Sequence, residues 1–135
     1  MKKEALKRIF DFLEDKEEHK APFIWKLEND IPLTEKDLNI EGDLHLENSP
    51  ITSLPDGLKV EGDLMLTFSK IASLPEGLEI SDSLFLVRTS ITSLPKGLKV
   101  NEDLILTKSA LTKYTDDEIR EMVKPGFIKG RIRRI

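Results

Sequence analysis

The chain has 135 residues, of which 39% are apolar, no cysteine, and a formal net charge of −4. That is enough for one domain with a real core and too little for two ordinary ones; the missing cysteines exclude a disulfide framework and thiolate metal sites, and fit a reducing compartment. No segment approaches the apolar length that spans a bilayer, and charges break each apolar run of the opening MKKEALKRIFDFLEDKEEHK, so no secretory core forms.

The first predicted element is a helix. Leu6, Ile9, Phe10 and Leu13 fall at i, i+3, i+4 and i+7, and Phe12 widens the stripe. After a polar run, Pro22 can open a short second helix that carries Phe23, Ile24, Trp25 and Leu27. Residues 1–30 are expected to form a helical cap whose apolar faces cover the first rung of a repeat that begins at residue 31. The alternative is that those faces dock a partner.

From residue 31 to 114 the chain repeats at a twenty-residue step. ITSLPDGLKVEGDLML (51–66), IASLPEGLEISDSLFL (71–86) and ITSLPKGLKVNEDLIL (91–106) share their Leu, Ile, Pro and Gly positions and little else. Leu38/Ile40, Leu58/Val60, Leu78/Ile80 and Leu98/Val100 form one pair of columns, and Leu44/Leu46, Leu64/Leu66, Leu84/Leu86 and Leu104/Leu106 the next. Ile51, Ile71, Ile91 and Leu111 form a third column, and Leu54, Leu74 and Leu94 a fourth. The Leu-x-Leu and Leu-x-Val pieces alternate with the strand period of two, and Pro55, Pro75 and Pro95 exclude helix. A strand this short cannot bury its apolar side alone; stacking rung on rung, about 4.8 Å apart, turns the Leu columns into one core. Gly57, Gly77 and Gly97 permit a tight bend, and the hydroxyls of Ser49, Ser69, Thr89 and Ser109 are placed to bond turn backbone groups.

The repeat stops at Tyr114-Thr115. Thr115-Asp-Asp-Glu118 fits a capping box, Ile119, Met122 and Val123 share a helix side, and Pro125-Gly126 ends the helix. The tail FIKGRIRRI alternates, with Ile128, Ile132 and Ile135 as burial candidates, and is expected either to add a strand or to lie across the last rung. Charge is uneven. Residues 21–119 carry nine positive and eighteen negative side chains, whereas residues 120–135 carry six positive and one negative.

The segments LxLxxSxIxxLP (Leu64 to Pro75) and LxLxxTxIxxLP (Leu84 to Pro95) resemble leucine-rich repeats of the short twenty-residue bacterial type, over roughly residues 38–114, with a degenerate copy at Ile31-Pro32. The helices and the ending YTDDEIREMVKPGFIKGRIRRI are similar to small repeat proteins of tailed phages and their hosts. Ser or Thr replaces the ladder Asn of that family, and Glu61 stands where a Leu is expected before Leu64, which leaves both a horseshoe and a two-strand β-solenoid open. The resemblance implies a protein-binding scaffold in the cytoplasm of a bacterial host and carries over no catalytic residue. The expected fold is mainly β with α caps: a single domain, a short right-handed parallel solenoid of about four coils (31–114), an N-terminal helical cap (1–30), and a C-terminal helix with a basic tail (115–135).

Little in the sequence points to chemistry. His19 and His45 have no metal-spaced companion, and no P-loop, G-x-S-x-G or G-x-G-x-x-G occurs, so no enzyme, cofactor or metal site is expected. Asp43, Asp63 and Asp103 recur in one column and read as a solvated face; a calcium site there is broken by Ser83. The lead is elsewhere. If Leu44 and Leu46 point inward, His45 points out, and so do Met65, Phe85 and Ile105, a column that is mostly apolar where water is expected. With Phe68, Val87 and Arg88 beside it, this column is a candidate protein-binding surface, unless a terminal segment folds over it. A competing candidate is phosphate contact through Lys129, Arg131, Arg133 and Arg134, opposed by the acidic body. The expectation is a non-catalytic binding protein that blocks a host defence or regulatory protein; a structural or virion-associated role is the alternative, and the oligomeric state stays open.

Overall fold

The computed structural model describes residues 20–134. The first predicted helix, with Leu6, Ile9, Phe10 and Leu13, lies outside the described residues. The second, α1, spans Lys20–Glu28 and so begins two residues before Pro22.

The repeat folds as a parallel β-solenoid with two strands per coil. Strands β1 (Asn39–Ile40), β3 (Lys59–Val60), β5 (Glu79–Ile80) and β7 (Lys99–Val100) build the first sheet. Strands β2 (Leu44–His45), β4 (Leu64–Met65), β6 (Leu84–Val87) and β8 (Leu104–Thr107) build the second. Every pair of neighbours is in register at a step of twenty: Ile40↔Val60, Ile80↔Val100, Leu44↔Leu64, Leu84↔Leu104. Since side-chain direction alternates along a strand, that register puts each apolar column wholly inside. Ile40, Val60, Ile80 and Val100 meet Leu44, Leu64, Leu84 and Leu104 in the core, and Ile71, Ile91 and Leu111 close its third side, all buried. Each such side chain contributes about 1.5–3 kcal/mol of apolar transfer.

The expected bends are present. Gly57, Gly77 and Gly97 take φ of 81°, 75° and 79°. At the two outer bends the hydroxyls behave as expected, with Ser49 Oγ accepting from Ile51 N at 3.3 Å and Ser109 Oγ from Leu111 N at 3.2 Å. At the two inner bends they do not: Ser69 Oγ and Thr89 Oγ1 are buried with no hydrogen-bond partner among the described residues.

The basic tail makes a fifth rung. After a 3-10 turn (Ala110–Lys113) and helix α2 (Asp116–Val123), strand β9 (Phe127–Ile128) joins the first sheet beside β7, and β10 (Ile132–Arg133) joins the second beside β8. The registers Val100↔Ile128 and Leu104↔Ile132 step by 28 instead of twenty, because α2 is inserted. Of the two courses expected for the tail, it takes the strand: Ile128 and Ile132 are buried and extend the columns of the repeat. The capping box forms, with Glu118 N donating to Thr115 Oγ1 at 3.1 Å and Thr115 N to Glu118 Oε1 at 3.0 Å. Those Thr115 hydrogen bonds hold the Glu118 carboxyl below its ordinary pKa. Ile119 and Val123 are buried, and Met122 packs against the core.

At the other end α1 covers the first rung. Phe23 is buried, and Ile24 and Leu27 pack beside it. One feature of this cap left no mark in the repeat pattern. Lys26 Nζ forms a buried ion pair with Asp37 Oδ2 at 3.0 Å, and the same oxygen accepts from Thr34 N at 2.9 Å. Burial pushes the Asp37 pKa up, but the Thr34 N–H, the Lys26 ammonium and the Thr34 hydroxyl together hold it below the ordinary carboxylate value. No helix among the described residues is long and apolar enough to cross a membrane.

Candidate partner-binding face

The residue before each Leu of the second sheet, and the residue after it, point away from the core. In register, His45 lies beside Met65, Met65 beside Phe85, Phe85 beside Ile105, and Ile105 beside Arg133. His45 and Arg133 are exposed; Met65, Phe85 and Ile105 are half-buried. Neighbouring rungs stand about 4.8 Å apart, so the three apolar side chains lie flank to flank and form one strip. The tail does not fold over that strip, because β10 extends the sheet at its end.

The first sheet supplies an internal comparison. Its outward column reads Asn39, Lys59, Glu79, Lys99 and Phe127. Glu79 pairs there with Lys59 at 3.7 Å and with Lys99 at 3.5 Å, the pattern of a water-facing sheet. Both sheets come from the same repeat and pack on the same core. An apolar outward column is therefore no requirement of the fold.

One edge of the strip is aromatic and basic. After the strands the chain turns at Asn48, Phe68, Arg88 and Lys108, each left-handed, with φ of 58°, 58°, 54° and 51°. Ladder bonds lock this geometry: Asn48 N donates to Thr67 O at 3.0 Å, Phe68 N to Val87 O at 3.0 Å, and Arg88 N to Thr107 O at 2.9 Å. Asn tolerates left-handed backbone; Phe and Arg do so at a cost. Phe68 nevertheless keeps half its surface in water, at 50% exposure, and is the one large apolar side chain so exposed among the described residues. The Arg88 guanidinium lies 5.1 Å from its ring centroid, a cation–π contact. Val87, half-buried, sits between this edge and Phe85.

The opposite edge is acidic and corrects an expectation: the Asp column is no merely solvated face. Asp43 Oδ1 accepts from Asp63 N at 2.7 Å, Asp63 Oδ1 from Ser83 N at 2.8 Å, Ser83 Oγ from Asp103 N at 3.1 Å, and Asp103 Oδ1 from Arg131 N at 2.8 Å. Each rung's turn N–H is thus held by the side chain of the rung before it, and Ser83, which interrupts the carboxylate column, still continues this ladder through its hydroxyl. Gly62 fits this arch. A Cβ on it would collide with Asp43 Oδ1 and lie 2.6 Å from the Gly42 carbonyl carbon. The signal was present in the sequence, in a small or acidic residue before each of Leu44, Leu64, Leu84 and Leu104, with Gly42 and Gly62 one step further back. Asp43, Asp63 and Asp82 bring one carboxylate oxygen each within 4.8 Å of one another, the kind of group that suits a hard cation, although two of the three already hold backbone N–H groups. A hydrogen bond and repulsion from Asp82, followed by repulsion from Asp63 and Asp103, raise the Glu102 pKa.

The tail cations do not gather. Arg133 Nε pairs with Asp103 Oδ2 at 3.1 Å. Arg134 bonds the Asp116 carboxylate and donates to Tyr114 O at 2.6 Å, which ties the tail to the start of α2. Lys129 Nζ lies 5.0 Å from the Phe127 ring centroid on the first-sheet side, and Arg131 is exposed at the turn into β10. At the far end of the strip, His45 Nδ1 and Glu47 Oε1 are 2.9 Å apart. A shallow cleft of about 330 Å³, lined by Leu27, Glu28, Pro50 and Ile51, separates α1 from the first bend. Scans of protein-family models, curated proteins and solved structures return no match to this chain.

Proposed function

We propose that the chain is a non-catalytic protein-binding module whose partner docks on the outward face of the second sheet, over Met65, Phe85 and Ile105, with His45, Phe68, Val87 and Arg88 at the margins. The observation that carries this reading is the contrast between the two outward columns: polar and ion-paired on the first sheet, apolar on the second. Exposing apolar area opposes solubility and adds nothing to the core, so its presence on one face alone fits a surface that is covered in a complex. Aromatic side chains and Arg are the residue types that anchor such interfaces. On its resemblance to the short bacterial and phage repeat proteins, the partner would be a host defence or regulatory protein that this chain occupies and blocks.

The test is the double substitution Met65→Ser/Phe85→Ser. The variant should keep its circular dichroism and a cooperative melt, and it should lose the partners that the wild-type chain captures from bacterial lysate. Unchanged capture, or loss of folding, would overturn the reading. The tail supports nucleic-acid binding less well, since Arg133 and Arg134 are both ion-paired to carboxylates.

A further inference from the structure

We infer that the segment docking on this face is an amphipathic helix lying along the solenoid axis, apolar on one stripe and basic on the flank that meets Asp63, Asp82 and Glu102. The inference rests on the partner-binding reading above and specifies its ligand.

Spacing selects the helix. The three anchors Met65, Phe85 and Ile105 repeat at the rung distance of about 4.8 Å, so two steps cover about 10 Å. A helix presents one residue per turn to such a line, every 5.4 Å or so, and two turns cover about 11 Å. Side chains at i, i+3 or i+4, and i+7 then fall opposite the three anchors. An extended strand presents same-face residues about every 6.7 Å, so after two steps it overshoots the third anchor by roughly 4 Å and lies near the polar end of the column, at His45 or Arg133.

Charge selects the flank. Along the turn side of the strip lie Asp43, Asp63, Asp82, Glu102 and Asp103. Of these Asp103 is paired, with Arg133; Asp43, Asp63, Asp82 and Glu102 have no ion pair among the described residues. Four carboxylates held this close repel one another, and a basic flank would relieve them. The opposite edge carries Arg88 and Lys108 beside Phe68, so it disfavours cations there and gives the helix a direction of roll. An anionic lipid surface or a nucleic acid would have to place its phosphates against the acidic rim, which makes both poorer occupants.

The test is selection from a random display library of peptides of about 16 residues, roughly 24 Å as helix, against the full chain. Peptides whose binding is lost on Phe85→Ser are then sequenced and measured against Asp82→Lys/Glu102→Lys. The expected set has apolar residues at helical spacing with Lys or Arg on one flank, and the charge reversal weakens it about tenfold or more, with a steep salt dependence. Phe85-dependent peptides that alternate like strands, carry neutral or acidic flanks, or ignore the charge reversal would overturn this inference and leave the surface standing. If no peptide depends on Phe85, the surface reading itself fails, as it would if a second copy of the chain or its own residues 1–19 filled the face.

Discussion

Arg120 donates through Nη2 to the Gly130 carbonyl oxygen at 3.0 Å, and its Nη1 bonds the Ile128 carbonyl. In the first sheet each rung's carbonyls accept from the next rung: Glu61 N on Ile40 O at 2.8 Å, Ser81 N on Val60 O at 2.9 Å, Asn101 N on Ile80 O at 3.1 Å, Lys129 N on Val100 O at 2.9 Å. The turn carbonyls run in the same direction, through Gly62, Asp82 and Glu102 to Gly130. Ile128 and Gly130 are where these two series end, and one guanidinium supplies two of the donors that a sixth rung would bring. An open parallel edge is a template for another chain, and Arg120 blocks this part of it.

Arg120→Ala should therefore lower stability by about 1–3 kcal/mol, the range for losing hydrogen bonds to a charged group. It should also promote concentration-dependent association, read by sedimentation velocity. Arg120→Lys, with no planar fork, should recover only part of the stability. A variant that stays monomeric and as stable as wild type would show that the edge needs no closure.

Phe68→Asn should separate stability from binding. Left-handed backbone costs a non-glycine residue about 1–2 kcal/mol, and Asn48 occupies the same bend in the first coil. Phe68 is 50% exposed and gives up little burial on replacement. The substitution should raise stability by roughly 0.5–1 kcal/mol in denaturant unfolding and weaken partner binding. A loss of stability would assign Phe68 to packing.

Stability on the acid side should depend on Asp37. Its folded-state pKa is depressed, so its contribution is fully present above the ordinary carboxylate value near 4 and is lost as pH falls through the folded-state value. Lys26→Met leaves a buried carboxylate without its cation and should cost about 3–5 kcal/mol at neutral pH. It should also move the loss of the Asp37 contribution to higher pH, because removal of the ammonium lets the Asp37 pKa rise. Urea unfolding between pH 2 and 7, read for wild type and variant, checks both effects.

Two glycines of the repeat should respond differently to a methyl group. At Gly62 a Cβ would meet the Gly42 carbonyl carbon at 2.6 Å and Asp43 N at 2.7 Å, backbone that cannot move aside without breaking the Asp ladder. At Gly77 nothing lies within 4 Å and only the φ of 75° opposes Ala, about 1–2 kcal/mol. Gly62→Ala should be the more damaging in thermal unfolding. The reverse order would mean that the turn is free to shift.

Much of the core is legible in the repeat. Leu64, Leu84 and Leu104, twenty apart, had to share a column, because a period-two strand repeated in register leaves them no other common face. Thr115 and Glu118 identified their capping box because its partners lie within one turn. Met65, Phe85 and Ile105 were placed as an aligned outward column by the same alternation that placed the leucines inside. Arg120 could not be read this way, since its role exists only where the last rung ends. Nor could Lys26 and Asp37, which meet across the first cap with no periodic cue.

The repeat by itself decided the stack, its register and which side chains face in, since each follows from the alternation of a short strand and a constant step. Tertiary structure decided what happens between rungs and at the ends. The carboxylate of Asp43 reaches the N–H of Asp63, Ile128 and Ile132 take the places of Val and Leu across a 28-residue step, and Phe68 is held left-handed by a bond to Val87. Those relations depend on distances of a few ångströms between groups that only stacking brings together, and a linear pattern carries no record of them.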